Sequence, residues 1–266
     1  MESKSQSIND VAKKIASNRT TSSDPRMYPK IDALLIQNPN RFYAFPLLGG
    51  LVKGIIVIPQ LIILTVISYA ASFITTFINS FAVLFTGRYM NVAYDLNTTF
   101  IKWYLKLTFF SNGLTDKYPG FETEIKDTFS ISVVKPVNPN KLYAIPILGF
   151  VIRSCAMIPF SFWASAVMYA GSLATTFNSF YVLFTGKYSE TAFELVRDGS
   201  RLYIAKFMYL NGMSDVYPSF SISMNHKNTK IFLLVFGIIV YVTLTIIWLA
   251  IQILSSLMSE KGTYYK

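Results

Sequence analysis

Reactive side chains are scarce in this sequence. One cysteine in 266 residues, Cys155, leaves no disulfide framework and no thiol-based metal site within the chain, so it is expected to fill apolar space. One histidine, His226, has no counterpart elsewhere and is expected in a solvated loop. There is no Gly-rich phosphate loop, no His or Cys ligand set and no Ser-containing nucleophile elbow. The expectation is a protein with no catalytic residue, no cofactor and no metal. Residues 1–27 also lack the apolar core of a secretory signal, so insertion is expected to begin with the chain's own first hairpin.

Charge is missing from two long stretches. Gly54 to Thr86 is 33 residues without Asp, Glu, Lys or Arg, and residues 154–185 repeat the pattern, down to the Ile-Pro, Thr-Thr-Phe and Val-Leu-Phe-Thr blocks. A third apolar run covers Ile231 to Met258. Each exceeds the ~20 residues with which a helix crosses a hydrocarbon core. With 52% hydrophobic and 14% charged residues and a mean hydropathy of +0.41, the expected solvent is the bilayer. The net charge is +10, and all 24 basic and 14 acidic residues lie outside the two repeated runs. Basic flanks of this kind belong on the cytoplasmic side. Because both signs are interspersed and no basic run alternates with aromatics, nucleic acid is not an expected partner.

The repeat extends beyond the apolar runs. Asn38 to Gly49 (NPNRFYAFPLLG) and Asn138 to Gly149 (NPNKLYAIPILG) agree at 8 of 12 positions with an offset of 100. The offset becomes 99 after Phe77 and Phe177, and a deletion inside a helix would rotate everything beyond it by about 100°. Breaks are therefore expected near residues 75–80 and 175–179. Residues 47–71 would cross the membrane with a kink at Pro59, mirrored by Pro159, and residues 72–86 would return. Equal flanks on both modules imply the same orientation, hence an even number of crossings each and five in all, with the C-terminus outside. The expected division is a disordered polar tail over 1–27, modules over 28–127 and 128–225, and a transmembrane helix with a short tail over 226–266.

Gly87 and Gly186, each followed by a cation and a tyrosine, end the apolar runs as helix terminators. An amphipathic helix follows in each copy. Glu194, Arg197, Asp198 and Arg201 form one polar stripe, matched by Asp95, Thr98, Thr99 and Lys102. Such a stripe fits a helix lying along the cytoplasmic interface or one packed on the protein's own membrane helices. Arg88, Lys102, Lys187 and Arg201 are the expected contacts to anionic lipid headgroups. The Asn-Gly pairs at 112–113 and 211–212 stop these helices, and Tyr118-Pro119 and Tyr217-Pro218 force extended chain. Asp116 and Asp215, just before, are expected to cap turns. Period-two alternation at Phe129–Val133 and Phe220–Met224, with a strand-like stretch at Ile31–Ile36, suggests a small cytoplasmic sheet. The sequon at Asn97 would mean nothing on that side, and neither would the one at Asn18.

In combination, the Ile-Pro within the first apolar helix, Leu-Phe-Thr-Gly-(Arg/Lys)-Tyr at its end and (Thr/Ser)-Asp-x-Tyr-Pro-x-Phe some thirty residues later resemble a prokaryotic integral-membrane domain family of unknown function, in two tandem copies over about residues 28–224. Met90 and Ser189, Gly120 and Ser219 stand where family members often carry proline. The resemblance implies a membrane protein and brings no activity.

The fold expected is mainly α and polytopic: a duplicated helical hairpin with amphipathic helices, short strands and a C-terminal transmembrane helix. Its function is expected to be non-enzymatic, as an accessory or assembly subunit with membrane lipids and other membrane subunits as partners. Paired carboxylates, Asp95 with Glu194 or Asp116 with Asp215, are the enzymatic alternative. A passive transporter, channel or lipid conduit is the other, although its interior would offer only amides, hydroxyls and tyrosines such as Gln60, Asn79, Asn178, Thr65, Thr75, Thr76, Ser165, Tyr69 and Tyr169.

Overall fold

The structure is a computed structural model and describes residues 19–20, 28–36, 38–43, 45, 48–121, 129–133, 135, 139–223 and 225–263. It is mainly helical. Among these residues the chain forms strands β1 (Arg19–Thr20) and β2 (Lys30–Leu34), helices α1 (Leu48–Thr86) and α2 (Asn91–Ser111), strand β3 (Phe129–Ser132), a 3-10 turn (Lys141–Ala144), and helices α3 (Leu148–Ala156), α4 (Ile158–Thr185), α5 (Glu190–Leu210) and α6 (Lys227–Thr263). The solvated-tail expectation fails at β1, which pairs with β2; the rest of 1–27, including the short helical pattern at Val11–Ala16 and the Asn18 sequon, lies outside the described residues.

The first apolar run is one helix. α1 is 39 residues long, about 58 Å at the α-helical rise, and carries Pro59 in its interior without ending there. The expected break at 75–80 is absent. In the second copy the chain does break, but at Met157, where α3 and α4 meet at 52°, and Pro159 takes the first turn of α4, where its missing N–H costs nothing. No connection interrupts 175–179 either. The missing residue is absorbed by a drift of the contact stripe instead. Buried positions match at an offset of 100 up to Leu64 and Ala164, and at 99 from Ser72 and Gly171 onward. Eight residues thus separate successive matched contacts in α1 and seven in α4, spacings that a helix of 3.6 residues per turn accepts as two turns either way.

The hairpin of each module is therefore longer than expected. α2 returns along α1, and α5 returns along α4, so the amphipathic helix is itself the second arm. It packs on the protein's own helices. Two helices, α1 and α6, are long and apolar enough to cross a membrane, and the bent pair α3/α4 makes a third if it counts as one span; five crossings are not present among the described residues.

The modules also run in opposite senses. The tip of module one meets the base of module two, through a hydrogen bond from the Tyr89 hydroxyl to the Asn211 carbonyl. The tip of module two meets the base of module one in the same way, through Tyr188 and the Asn112 carbonyl. α1 and α4 must then point in opposite directions, as an inverted repeat about an axis perpendicular to them. β2 and β3, the strands leading into the two modules, obey the same symmetry by pairing antiparallel, with Ile31 opposite Ile131. This differs from the same-sense arrangement expected of the two modules. Counting equal flanks was misleading because Lys53 and Arg153 are neutralised inside the protein, as described below.

β1, β2 and β3 form one sheet in that order. Ile31, Ala33 and Phe129 turn their side chains onto α2 and α5, with the Phe129 ring 4.8 Å from that of Phe109. The strand expected at 220–224 does not join it: residues 220–223 are irregular, and Met224 lies outside the described residues.

Candidate functional site

Each module closes with the same clasp. A Schellman-type turn ends α2 and α5: the Leu114 N–H reaches the Phe109 carbonyl and the Met213 N–H that of Met208, both at 2.8 Å, over Gly113 and Gly212 at φ +74° and +69°. The turn carries an aspartate back to the base of the first helix. Asp116 Oδ1 accepts from Lys53 Nζ at 2.8 Å, and Asp215 Oδ1 pairs with Arg153. Their other oxygens accept the backbone N–H of Asn40 and of Asn140, each at 2.6 Å. The cations are further held by rings, with Lys53 4.9 Å from the Tyr43 centroid and Arg153 4.9 Å from both Tyr143 and Tyr209. The Asn-Pro-Asn and (Thr/Ser)-Asp motifs, 76 residues apart in module one and 75 in module two, are thus two halves of one device. Asp116 and Asp215 do satisfy turn N–H groups, as expected, but the partner that matters most was missed. A basic residue four positions after a glycine present in both copies was the available signal. That glycine has its own reason: a Cβ at Gly49 or Gly149 would lie 2.1 Å from the carbonyl oxygen of Tyr43 or Tyr143.

The tips are built alike. Gly87 and Gly186 adopt φ +69° and end their helices, as expected. Asn79 Oδ1 accepts the Met90 N–H at 2.9 Å and Asn178 Oδ1 the Ser189 N–H at 2.7 Å, fixing the turn that buries the next tyrosine. Tyr89 and Tyr188 are 2% and 7% exposed, and burial pushes the Tyr89 hydroxyl up to about 12 and that of Tyr188 well above the ordinary tyrosine value. They stay neutral donors to the opposite module. The Asn-Gly-to-tyrosine contacts hold the two modules together at both ends.

Module two adds a buried charge cluster. Glu194, Arg197, Asp198 and Arg201 are all at most 3% exposed. Lys230, from α6, donates to Glu194 Oε2, and Arg197 pairs with Asp198 at 3.0 Å. Residues 221–223 and Asn225 cover the cluster: the Ser223 N–H reaches Asp198 Oδ2 at 2.6 Å, Asn225 reaches Glu194 Oε1 at 2.8 Å, and Arg201 donates to the Ser221 carbonyl. Arg201 is consequently not a headgroup contact. Of the other three residues expected there, Arg88 and Lys187 are exposed and Lys102 is half-buried.

Between the modules lies a cavity of about 650 Å³, walled by α1 from Leu61 to Val83, by α2, by the base of module two and by the last turns of α5. Its symmetry mate, at the base of module one, holds about 270 Å³. The larger one is apolar over most of its wall, with Arg153, Asp215 and Lys206 among its charged lining residues. Burial lowers the pKa of Lys206 below the ordinary lysine value.

The carboxylate pairs expected by symmetry are not assembled as acid–base dyads. Asp95 is exposed while Glu194 is buried on Lys230, and Asp116 and Asp215 each go to their own module's cation. His226 is exposed, 3.5 Å from Glu190 Oε2. Cys155 is exposed rather than filling apolar space. Pro119 is half-buried and Pro218 buried beside tyrosines that brace the clasp: Tyr118 accepts from Gln60 at 2.8 Å and Tyr217 donates to the Ala156 carbonyl at 3.1 Å. The sequon asparagine Asn97 is buried, bonded to Ser72 and Thr75. Among the described residues no three His, Cys, Asp or Glu side chains group as a metal site.

No protein-family model, curated protein or solved structure matches the chain.

Proposed function

We propose that this is a non-enzymatic membrane protein that serves as an accessory or assembly subunit, docking a transmembrane helix of a partner on α1. One observation carries the reading: the seat that α6 occupies on module two is open on module one. On α4, Gly237 of α6 comes so near Ala170 that a Cβ there would lie 2.8 Å from the Ala170 nitrogen, and the Tyr241 ring packs edge-on to Phe162 at 5.4 Å and tilted to Tyr169 at 5.3 Å. The matching positions on α1 are Ile62, Tyr69 and Ala70. Ile62 is 59% and Tyr69 76% exposed, and Ala70 is exposed as well. A small residue flanked by bulky apolar ones is the pattern by which helices approach closely in lipid. The charges support a structural role, since Lys53, Arg153, Arg197 and Lys230 are committed to internal ion pairs. Arg88 and Lys187, at opposite ends of the bundle, are free to meet anionic headgroups. The resemblance of the Leu-Phe-Thr-Gly blocks to an integral-membrane family of unknown function belongs to the same proposal.

A photoreactive side chain at position 70, activated in native membranes, tests it. The expected product is one discrete adduct with a second membrane polypeptide, lost in the neighbouring Ile62→Trp variant. A passive lipid conduit is the second reading, favoured by the cavity. A protein that forms no adduct, runs alone in mild detergent and drives lipid exchange between liposomes would replace the first reading with the second.

A further inference from the structure

The symmetry of the two modules fails at a cation of the cavity wall. At an offset of 99, Lys206 on α5 stands where α2 has Leu107, which is 1% exposed in a packed apolar cluster. Lys206 instead lines the large cavity, half-buried, with its Nζ 5.2 Å from the Tyr203 ring centroid. No described carboxylate pairs with it, whereas Lys53, Arg153 and Lys230 each have one. The other charged pair on the cavity wall, Arg153 with Asp215, is neutral in sum. Arg153 is 4% exposed, and its Nε has no hydrogen-bond partner among the described residues. The wall therefore carries one positive charge in excess, in a space otherwise lined by groups such as Leu64, Phe73 and Phe207.

We infer that the inter-module cavity binds an acyl chain of an anionic membrane lipid, with the lipid's negative headgroup on Lys206. A volume of about 650 Å³ falls within the ~300–1,000 Å³ of ordinary ligand pockets, and a mostly apolar wall with a few convergent polar groups is their usual chemistry. A cation stripped of part of its water and left without a counterion is stabilised by an anion brought in with the chain. Arg153 and Tyr203 line the same cavity, the Tyr203 hydroxyl 3.1 Å from Ser165 Oγ. The smaller mate cavity contains only the neutralised Lys53–Asp116 pair, so one site per chain is expected. This inference goes beyond the docking role and does not depend on it; it needs only that the protein meets lipid.

Native mass spectrometry of the full chain in nonionic detergent, with phosphatidylglycerol or phosphatidylcholine of identical acyl chains as probes, measures it. The wild type is expected to retain one phosphatidylglycerol, preferred by about tenfold or more, the worth of a charge-assisted hydrogen bond in a water-poor site. Lys206→Gln should bring the two lipids to parity, and Lys206→Arg should restore the preference. Thr65→Trp, on the α1 wall of the cavity, should expel both lipids without lowering the thermal transition. A preference that survives Lys206→Gln would overturn the inference. So would phosphatidylglycerol retained by Thr65→Trp, which would place the lipid on exposed Arg88 or Lys187.

Discussion

Module one and module two share the layout of their clasps and tips, with exchanges such as Lys53 for Arg153, yet they solve the packing of their two arms differently. In module two the arms touch closely: a Cβ at Gly199 would lie 3.1 Å from the Met168 sulfur, and one at Gly171 3.3 Å from Val196. In module one the counterparts are Phe100 and Ser72. Ser72 hydrogen-bonds Asn97 at 3.0 Å, and both Phe100 and Ser72 line the large cavity. The polar stripes differ in the same direction. Module two buries four charges because α6 brings Lys230 and residues 221–223 bring a backbone donor and acceptors. Among the described residues module one has no such cover: Asp95 stays exposed and Lys102 half-buried, and the two positions between them are hydroxyls bonded to their own helix, Thr98 to the Tyr94 carbonyl at 2.8 Å and Thr99 to that of Asp95 at 2.9 Å. A buried charge is tolerated where a third element supplies its partner; where none does, the same position reverts to a group that can satisfy itself.

The comparison can be broken most forcefully at Lys230. Lys230→Met leaves Glu194 buried without its cation and is expected to destabilise the protein by about 3–5 kcal/mol, read as denaturant unfolding in detergent, with much of the loss recovered in the double variant carrying Glu194→Leu. The clasps come next. Arg153→Met is expected to cost about 3 kcal/mol, because the guanidinium also donates to the Tyr209 carbonyl at 2.6 Å and the Ser214 carbonyl at 2.8 Å, and Lys53→Met about 1–2 kcal/mol, from the same unfolding curves. Equal losses would mean that the two clasps are energetically interchangeable. Tyr89→Phe and Tyr188→Phe should each remove about 1 kcal/mol. Their pH dependence has a definite sign: burial raises the Tyr89 value from 10.0 to about 12, so the folded form holds its proton longer, its stability is complete below pH 10 and is lost as the pH climbs toward 12. Tyr89→Phe should flatten that decline in a pH series of melting curves. Smallest of all, Arg88→Gln and Lys187→Gln should leave the thermal midpoint unchanged and weaken only the binding of anionic vesicles, more so at low salt.

Much of this was readable along the chain. Apolar runs marked α1, α4 and α6, glycine before a cation marked the ends of α1 and α4, and alternation marked β2 and β3, because each of these depends on neighbours within a few residues. The features that escaped depend on distant pairings. Arg201 read as a surface cation because nothing local shows that Ser221 folds back onto it. The missing residue after Phe77 read as a break because the aligned Thr-Thr-Phe blocks hid a contact stripe that had already drifted by Ser72. The sense of the second module was misread because Lys53 and Arg153 look like free flanking charges until Asp116 and Asp215 are found beside them. The twin cavities had no signature in either copy alone.

The reciprocal reach of Tyr89 and Tyr188 means that neither half is closed by itself. A fragment ending before residue 128 would present the Asn112 carbonyl with no hydroxyl to meet it and a tyrosine with no turn to enter. Its natural remedy is a second fragment lying head to tail, each filling the other's gap. Expressed alone, the first half should therefore associate in pairs whose members face opposite ways.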